Sequence, residues 1–142
     1  MNEKTFDFFQ DHSRNFLKMA LGTERQASMQ HPDGYGKRTG ACGDTVEIFL
    51  KVLNKKVRAV SYHVEGCINT NACCNAVAHM AEGAYVDAAW GITPERVMDY
   101  LETLPPNHQH CAELAVGALY LALANYLELQ RHPWKKGYQG NL

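Results

Sequence analysis

Three cysteines stand where chemistry could be built: Cys42 in the run Gly40-Ala41-Cys42-Gly43-Asp44, Cys67 after Gly66, and Cys111 after His110. Thiolates are soft donors that suit zinc and iron–sulfur clusters, whereas the Asp44 carboxylate is a hard donor. Three thiolates and one carboxylate would hold a cluster less firmly than four thiolates, which favours release over permanent retention. His110 is an alternative donor beside Cys111. No close CxxC pair is present, so no zinc-finger pattern fits.

Cys67 stands just before an expected helix and Cys111 in the opening turn of another. Amides and dipole at a helix start favour thiolate over thiol, so both cysteines are expected to have lowered pKa values. Gly43 and Gly66 would let backbone approach a bound group closely. The remaining pair, Cys73 and Cys74, reads as core or near-site residues. His12, His79 and His108 read as surface residues and His31 as a solvated loop residue.

Convergence of the three thiols depends on the elements between them. Residues 45–53 alternate, with Val46, Ile48, Leu50 and Val52 on one face. Residues 57–65 form a second strand with Val60, Tyr62 and Val64 on one face, joined to the first through Asn54-Lys55-Lys56. Cys42 precedes the first strand and Cys67 follows the second, so a hairpin brings both to one end of a sheet. A last helix, residues 108–129 with Asn107 as its cap, needs only to point its start there to add Cys111.

The remaining segments are framing. Residues 5–21 have helical spacing, interrupted at Asp11-His12-Ser13 and ended by Gly22. Residues 23–40 are rich in turn formers and read as a loop. Asn69 or Thr70 can cap a helix running to about residue 82, with Gly83 as its stop. Residues 86–90 suggest a helical turn, and Thr93-Pro94 starts a further helix. The expected class is α+β: a small antiparallel β-sheet with helices packed on one face.

With 142 residues, one domain is expected: an N-terminal helix and loop over 1–40, a core over 41–130 and a polar tail over 131–142. Apolar residues make up 46% and charged residues 20%, which argues against disorder. A net charge of -1 gives no electrostatic case for nucleic acid or an anionic membrane. The longest apolar run, residues 114–124, is too short to span a bilayer. The first residues lack the order of a signal peptide, so a cytoplasmic protein is expected. Five cysteines, an odd number, point in a reducing compartment to metal or thiol chemistry rather than to a disulfide framework.

Three ordered motifs carry a family resemblance: Ala41-Cys42-Gly43-Asp44 before a strand, Gly66-Cys67 before a helix, and the run from Leu104-Pro105-Pro106 through His110-Cys111 to Ala115. Over residues 40–126 the chain resembles the U-type iron–sulfur cluster scaffolds, IscU and the N-terminal domain of NifU. The resemblance implies a scaffold, not a turnover enzyme. It takes sulfur from a cysteine desulfurase, and iron, builds a labile 2Fe–2S cluster and passes it to apo-protein acceptors. It places ligands at Cys42, Asp44, Cys67 and Cys111, with His110 as the site histidine and Cys111 as persulfide acceptor. A ferredoxin, a frataxin-like protein and an Hsp70-type chaperone are further implied partners, and monomer and homodimer both remain open.

The chain departs from the family pattern where a valine and a lysine usually follow the two prolines. Asn107 and His108 stand there, which removes that stretch's support for chaperone recognition. The usual tyrosine–asparagine–proline signature near the N-terminus is missing, and Cys73 and Cys74 are additional. A zinc-dependent sulfurtransferase working with a cysteine desulfurase is the alternative, and zinc could fill the same donors. The short interval between Cys67 and Cys111 lacks that branch's insertion.

Overall fold

The computed structural model describes residues 7–135. Its centre is an antiparallel sheet of three strands in the order β1 (Gly34–Thr39), β2 (Thr45–Leu53) and β3 (Lys56–Glu65). β2 begins and ends where its alternation predicts, and β3 starts one residue earlier than expected. Asn54 and Lys55, at φ 55 and 64, form the tight turn between them. Left-handed residues at both central positions match the right-handed twist of a hairpin. Val46, Ile48, Leu50, Val60 and Tyr62 are buried on the face that meets the helices.

β1 corrects the expectation of a loop over residues 23–40. It pairs with β2 from Gly34 opposite Leu50 to Thr39 opposite Thr45. Its glycines look like turn formers but serve a close approach. A Cβ on Gly34 would lie 2.5 Å from the Ala122 carbonyl oxygen, and one on Gly36 would strike the backbone of Ala118 and Ala122. Those residues belong to the last helix, α6 (Gln109–Arg131), which lies across β1 and β2. Upstream of β1, Ala27 donates to the Tyr62 carbonyl at 3.1 Å and Tyr62 donates to that of Arg25 at 2.8 Å. The loop thus covers part of the outer edge of β3.

The first helical segment is split as the polar interruption suggests, into α1 (Phe8–Asp11) and α2 (Arg14–Leu21). The expected start at residues 5–6 lies outside the described residues. Ser13 caps α2 by accepting from the Phe16 amide at 3.0 Å. His12 is buried rather than on the surface. Its ring stacks on Phe16 at 3.8 Å between centroids, and its Nδ1 lies 2.7 Å from Thr103 Oγ1. Burial lowers its pKa.

α3 (Ile68–Ala81) is wrapped on nearly all sides, with every residue from Thr70 to Ala78 buried. Cys67 occupies the cap position instead of Asn69 or Thr70, and it makes no side-chain cap bond. Two buried polar residues in this helix are satisfied by the end of α2. Asn71 Nδ2 donates to the Ala20 carbonyl at 3.0 Å and Asn75 Nδ2 to that of Met19 at 3.1 Å. α4 (Val86–Ala89) and α5 (Pro94–Leu101) follow, with Thr93 accepting from the Arg96 amide at 3.2 Å.

Pro106–His108 form a single 3-10 turn ahead of α6, so His108, not Asn107, stands at the cap. Pro106–Arg131 is long and apolar enough to cross a membrane by length and composition, unlike the shorter run counted from sequence. Here Cys111, Ala112, Ala115, Ala118, Leu119 and Ala122 are instead buried in the core. The fold is α+β, with its helices gathered on one face of the sheet.

Candidate metal centre

The sheet register places the site. Thr45 pairs with both Thr39 and Glu65, so the β1–β2 loop and the end of β3 meet at one edge. The loop is Gly40-Ala41-Cys42-Gly43-Asp44, closed by the Gly40 amide donating to the Asp44 carbonyl at 2.8 Å. Gly43 has φ 93, a region that costs glycine least. The stretch that reads as the approach to a first strand is thus a hairpin tip between two strands.

Beneath the tip, the start of α3 and the start of α6 come together around the Thr70 hydroxyl. Thr70 Oγ1 lies 2.6 Å from Asp44 Oδ2, 3.5 Å from Cys67 Sγ and 3.4 Å from Cys111 Sγ. A hydroxyl has one proton, and the shortest contact puts it on Asp44. The two sulfurs then face the oxygen's lone pairs as thiol donors. Gly66 makes room for this arrangement: a Cβ there would sit 2.7 Å from Asp44 Oδ2.

Cys67, His108 and Cys111 form the tight group, with one donor atom from each lying within 4.8 Å of the others. His108 Nδ1 is 3.9 Å and His110 Nε2 3.7 Å from Cys111 Sγ. Cys42 and Asp44 are not members of that group. Cys42 instead lines an open cavity of about 510 Å³ with Arg38, His110, Glu113 and Leu114. His110 therefore approaches the Cys111 sulfur and also lines the cavity that Cys42 lines.

The thiols differ in exposure. Cys42 and Cys67 are exposed, and Cys111, Cys73 and Cys74 are buried. Burial works to raise the Cys67 pKa, but bonds from the Thr70 hydroxyl and the Thr70 and Asn69 amides outweigh it, so the value is lowered. Because the hydroxyl proton is engaged by Asp44, the amides at the start of α3 are the dependable part of that effect. Cys111 goes the other way, against the expectation from its helix position. Burial, opposed by Thr70 and reinforced by the charges of Cys67, Asp44 and Cys42, pushes it up to about 11. Burial also raises Cys73 and Cys74.

Sequence reasoning missed Thr70 and His108. Thr70 was legible only as a helix cap, and its position between two thiols depends on α6. The sequence suggests a surface position for His108, whereas the structure half-buries it beside Cys67 and Cys111. Three residues per turn in the 3-10 segment and the start of α6 set the His108 and Cys111 side chains on one side. His79 is exposed as expected.

Fold and site together define a small α+β domain with a thiol-rich pocket at one sheet edge, equipped with donors for a soft or borderline metal. Residues 8–132 match the family described as the NifU-like N terminal domain, and the chain belongs to that family. It is 30% identical over 126 residues to "Iron-sulfur cluster assembly scaffold protein IscU 1" of Archaeoglobus fulgidus, covering 88% of this chain and 75% of the relative. It is 26% identical over 132 residues to the IscU scaffold protein of Aquifex aeolicus, covering 91% and 77%. Among solved structures, a NifU-like N-terminal protein from Brucella abortus superposes with a TM-score of 0.68 at 19% identity, covering 82% of this chain and 94% of that one. That last likeness concerns the fold.

Proposed function

We propose that this chain is a scaffold on which an iron–sulfur cluster is assembled and from which it is handed on. The cluster is cargo, and Cys42, Asp44, Cys67 and Cys111 are its ligands, with His110 as the site histidine. The observation that supports this best is the shared edge: the hairpin tip and two helix starts bring three cysteines and one carboxylate there, with Cys42 and Cys67 exposed and Cys111 buried. Exposed sulfurs suit a group that must arrive and leave, and a hard fourth donor among soft ones weakens retention.

Sulfur would come from a cysteine desulfurase persulfide. A cysteine thiolate of this chain attacks the terminal sulfur, the S–S bond breaks, and the donor cysteine departs as thiolate. Reduction of the bound sulfur to sulfide takes two electrons from an external donor of the ferredoxin class. Cys111 is the acceptor the resemblance names. Its sulfur is buried here, so the desulfurase must uncover it, while Cys42 and Cys67 already face outward. We read the cluster as 2Fe–2S and the setting as cytoplasmic, since exposed thiols with these tasks need a reducing compartment. Partners in this reading are the desulfurase, apo-protein acceptors and a frataxin-like protein.

Anaerobic incubation with ferrous iron, cysteine, a cysteine desulfurase and dithiothreitol as the electron donor tests the proposal. It should give visible cluster absorption that apo-ferredoxin then removes. Protein that retains zinc alone and never gains that absorption would favour the zinc-dependent sulfurtransferase.

A further inference from the structure

We infer that His108 is a metal ligand, and that with Cys67 and Cys111 it holds a single divalent ion of the zinc and ferrous class in a site that leaves Cys42 outside. The residues named for the cluster include His110 and Cys42. The tight group includes neither.

Geometry carries the assignment. Zinc bound at about 2.3 Å to sulfur and 2.0–2.1 Å to nitrogen in a tetrahedron sets sulfur–nitrogen edges near 3.6 Å and sulfur–sulfur edges near 3.8 Å. Cys111 Sγ and His108 Nδ1 stand 3.9 Å apart, and all three donor atoms lie within 4.8 Å of one another. Small side-chain rotations would close them on one ion. Two thiolates and an imidazole form a donor set that zinc and ferrous iron both accept. The three residues come from separate elements already packed together: the cap of α3, the 3-10 turn, and the first turn of α6. His108 is half-buried, which limits its freedom and shields one side of the ion.

His110, with Nε2 3.7 Å from Cys111 Sγ, is one candidate for the fourth position, and Asp44, held by Thr70 in this structure, is the other. Thr70 would have to release Asp44, and with neither bound the fourth position stays open to solvent, as in sites that exchange ligands. Cys42, on the cavity side, would keep its sulfur free while the ion is bound. A cluster has two metals and spans more space, so the fuller ligand set that includes Cys42 applies to that later state. His108 stands where the family resemblance usually has a lysine.

Metal-free full-length protein, titrated anaerobically with Co²⁺ and then with Zn²⁺ and Fe²⁺ in competition, decides the matter. The sulfur-to-cobalt charge-transfer band counts thiolates. For wild type, the band should have the intensity of two thiolates. Cys42→Ser should leave band and affinity essentially unchanged, whereas His108→Ala should weaken binding at least about tenfold. His108→Asn, closer in size, should weaken it comparably and guards against a folding artefact in the alanine variant. Unchanged affinity in both His108 variants overturns the inference. So does a band that loses one third of its intensity in Cys42→Ser. Separate Zn²⁺ and Fe²⁺ competition shows which ion the site prefers. Cluster absorption after reconstitution is a separate readout, so a negative result here leaves the scaffold proposal standing on its own test.

Discussion

Thr70 Oγ1 and Asp44 Oδ2 are 2.6 Å apart, and the same oxygen lies within 3.5 Å of the Cys67 and Cys111 sulfurs. One hydroxyl thus arbitrates between a carboxylate and two thiols. While its proton is on Asp44, it cannot be given to a thiolate. If Asp44 turned to a metal, as the proposed ligand set requires, that proton would become available to one of the sulfurs.

A double-mutant cycle of Thr70→Val with Asp44→Ala should therefore show coupling. A charge-assisted bond between a buried hydroxyl and a half-buried carboxylate is worth about 1–2 kcal/mol. Urea unfolding of metal-free protein measures it. Thr70→Ser keeps the donor and should stay near wild type, whereas additive effects of the two substitutions would mean the bond contributes nothing.

Asp44→Ala should make a reconstituted cluster longer-lived and its transfer to apo-ferredoxin slower, because the hard donor that weakens retention is gone. Decay of visible absorption, with and without acceptor, follows both rates. If neither rate moves, Asp44 takes no part in holding the cargo.

Alkylation should proceed in a set order on the metal-free protein. The thiolate is the nucleophile, Cys67 is exposed with a lowered pKa, and Cys111 is buried with its pKa pushed up to about 11. At pH 7.5, iodoacetamide should mark Cys67 well before Cys111, and Cys111 labelling should accelerate as pH climbs toward 11. Cys73 and Cys74 should react only after unfolding. Peptide mass mapping against time reads this out, and equal rates at Cys67 and Cys111 would contradict it.

Gly36→Ala should destabilise the fold by roughly 1–3 kcal/mol, through overpacking against a helix backbone that has no room to give. The thermal midpoint should fall by roughly 3–10 °C. A midpoint equal to wild type would show that β1 and α6 can separate without cost.

What the sequence revealed depends on where each signal resides. Val46, Ile48 and Leu50 recur at every second position, with Thr45, Glu47, Phe49 and Lys51 on the other face, and that period defines β2. Cys42 and Cys67 fall at strand ends, so pairing of β2 with β3 was enough to bring their segments to one edge. β1 was hidden because Gly34 and Gly36 serve α6, a partner some eighty residues away along the chain, and locally resemble turn formers. His12 was hidden for the same kind of reason, since Thr103 and Phe16 surround it only after α2 and α5 dock. The Cys111 pKa follows from total burial, which overrides the helix start; no local pattern reports that.

The direct seating of α6 on β1 also sets how the pocket can adapt. With no side chain as a spacer at Gly34 and Gly36, the strand that leads to Cys42 and the helix that carries Cys111 share one stiff joint. Adaptation of the site is therefore left to the hairpin tip and to side-chain rotation, since α6 has little room to shift against β1. Cargo of different widths would be sorted by how far that small tip can bend.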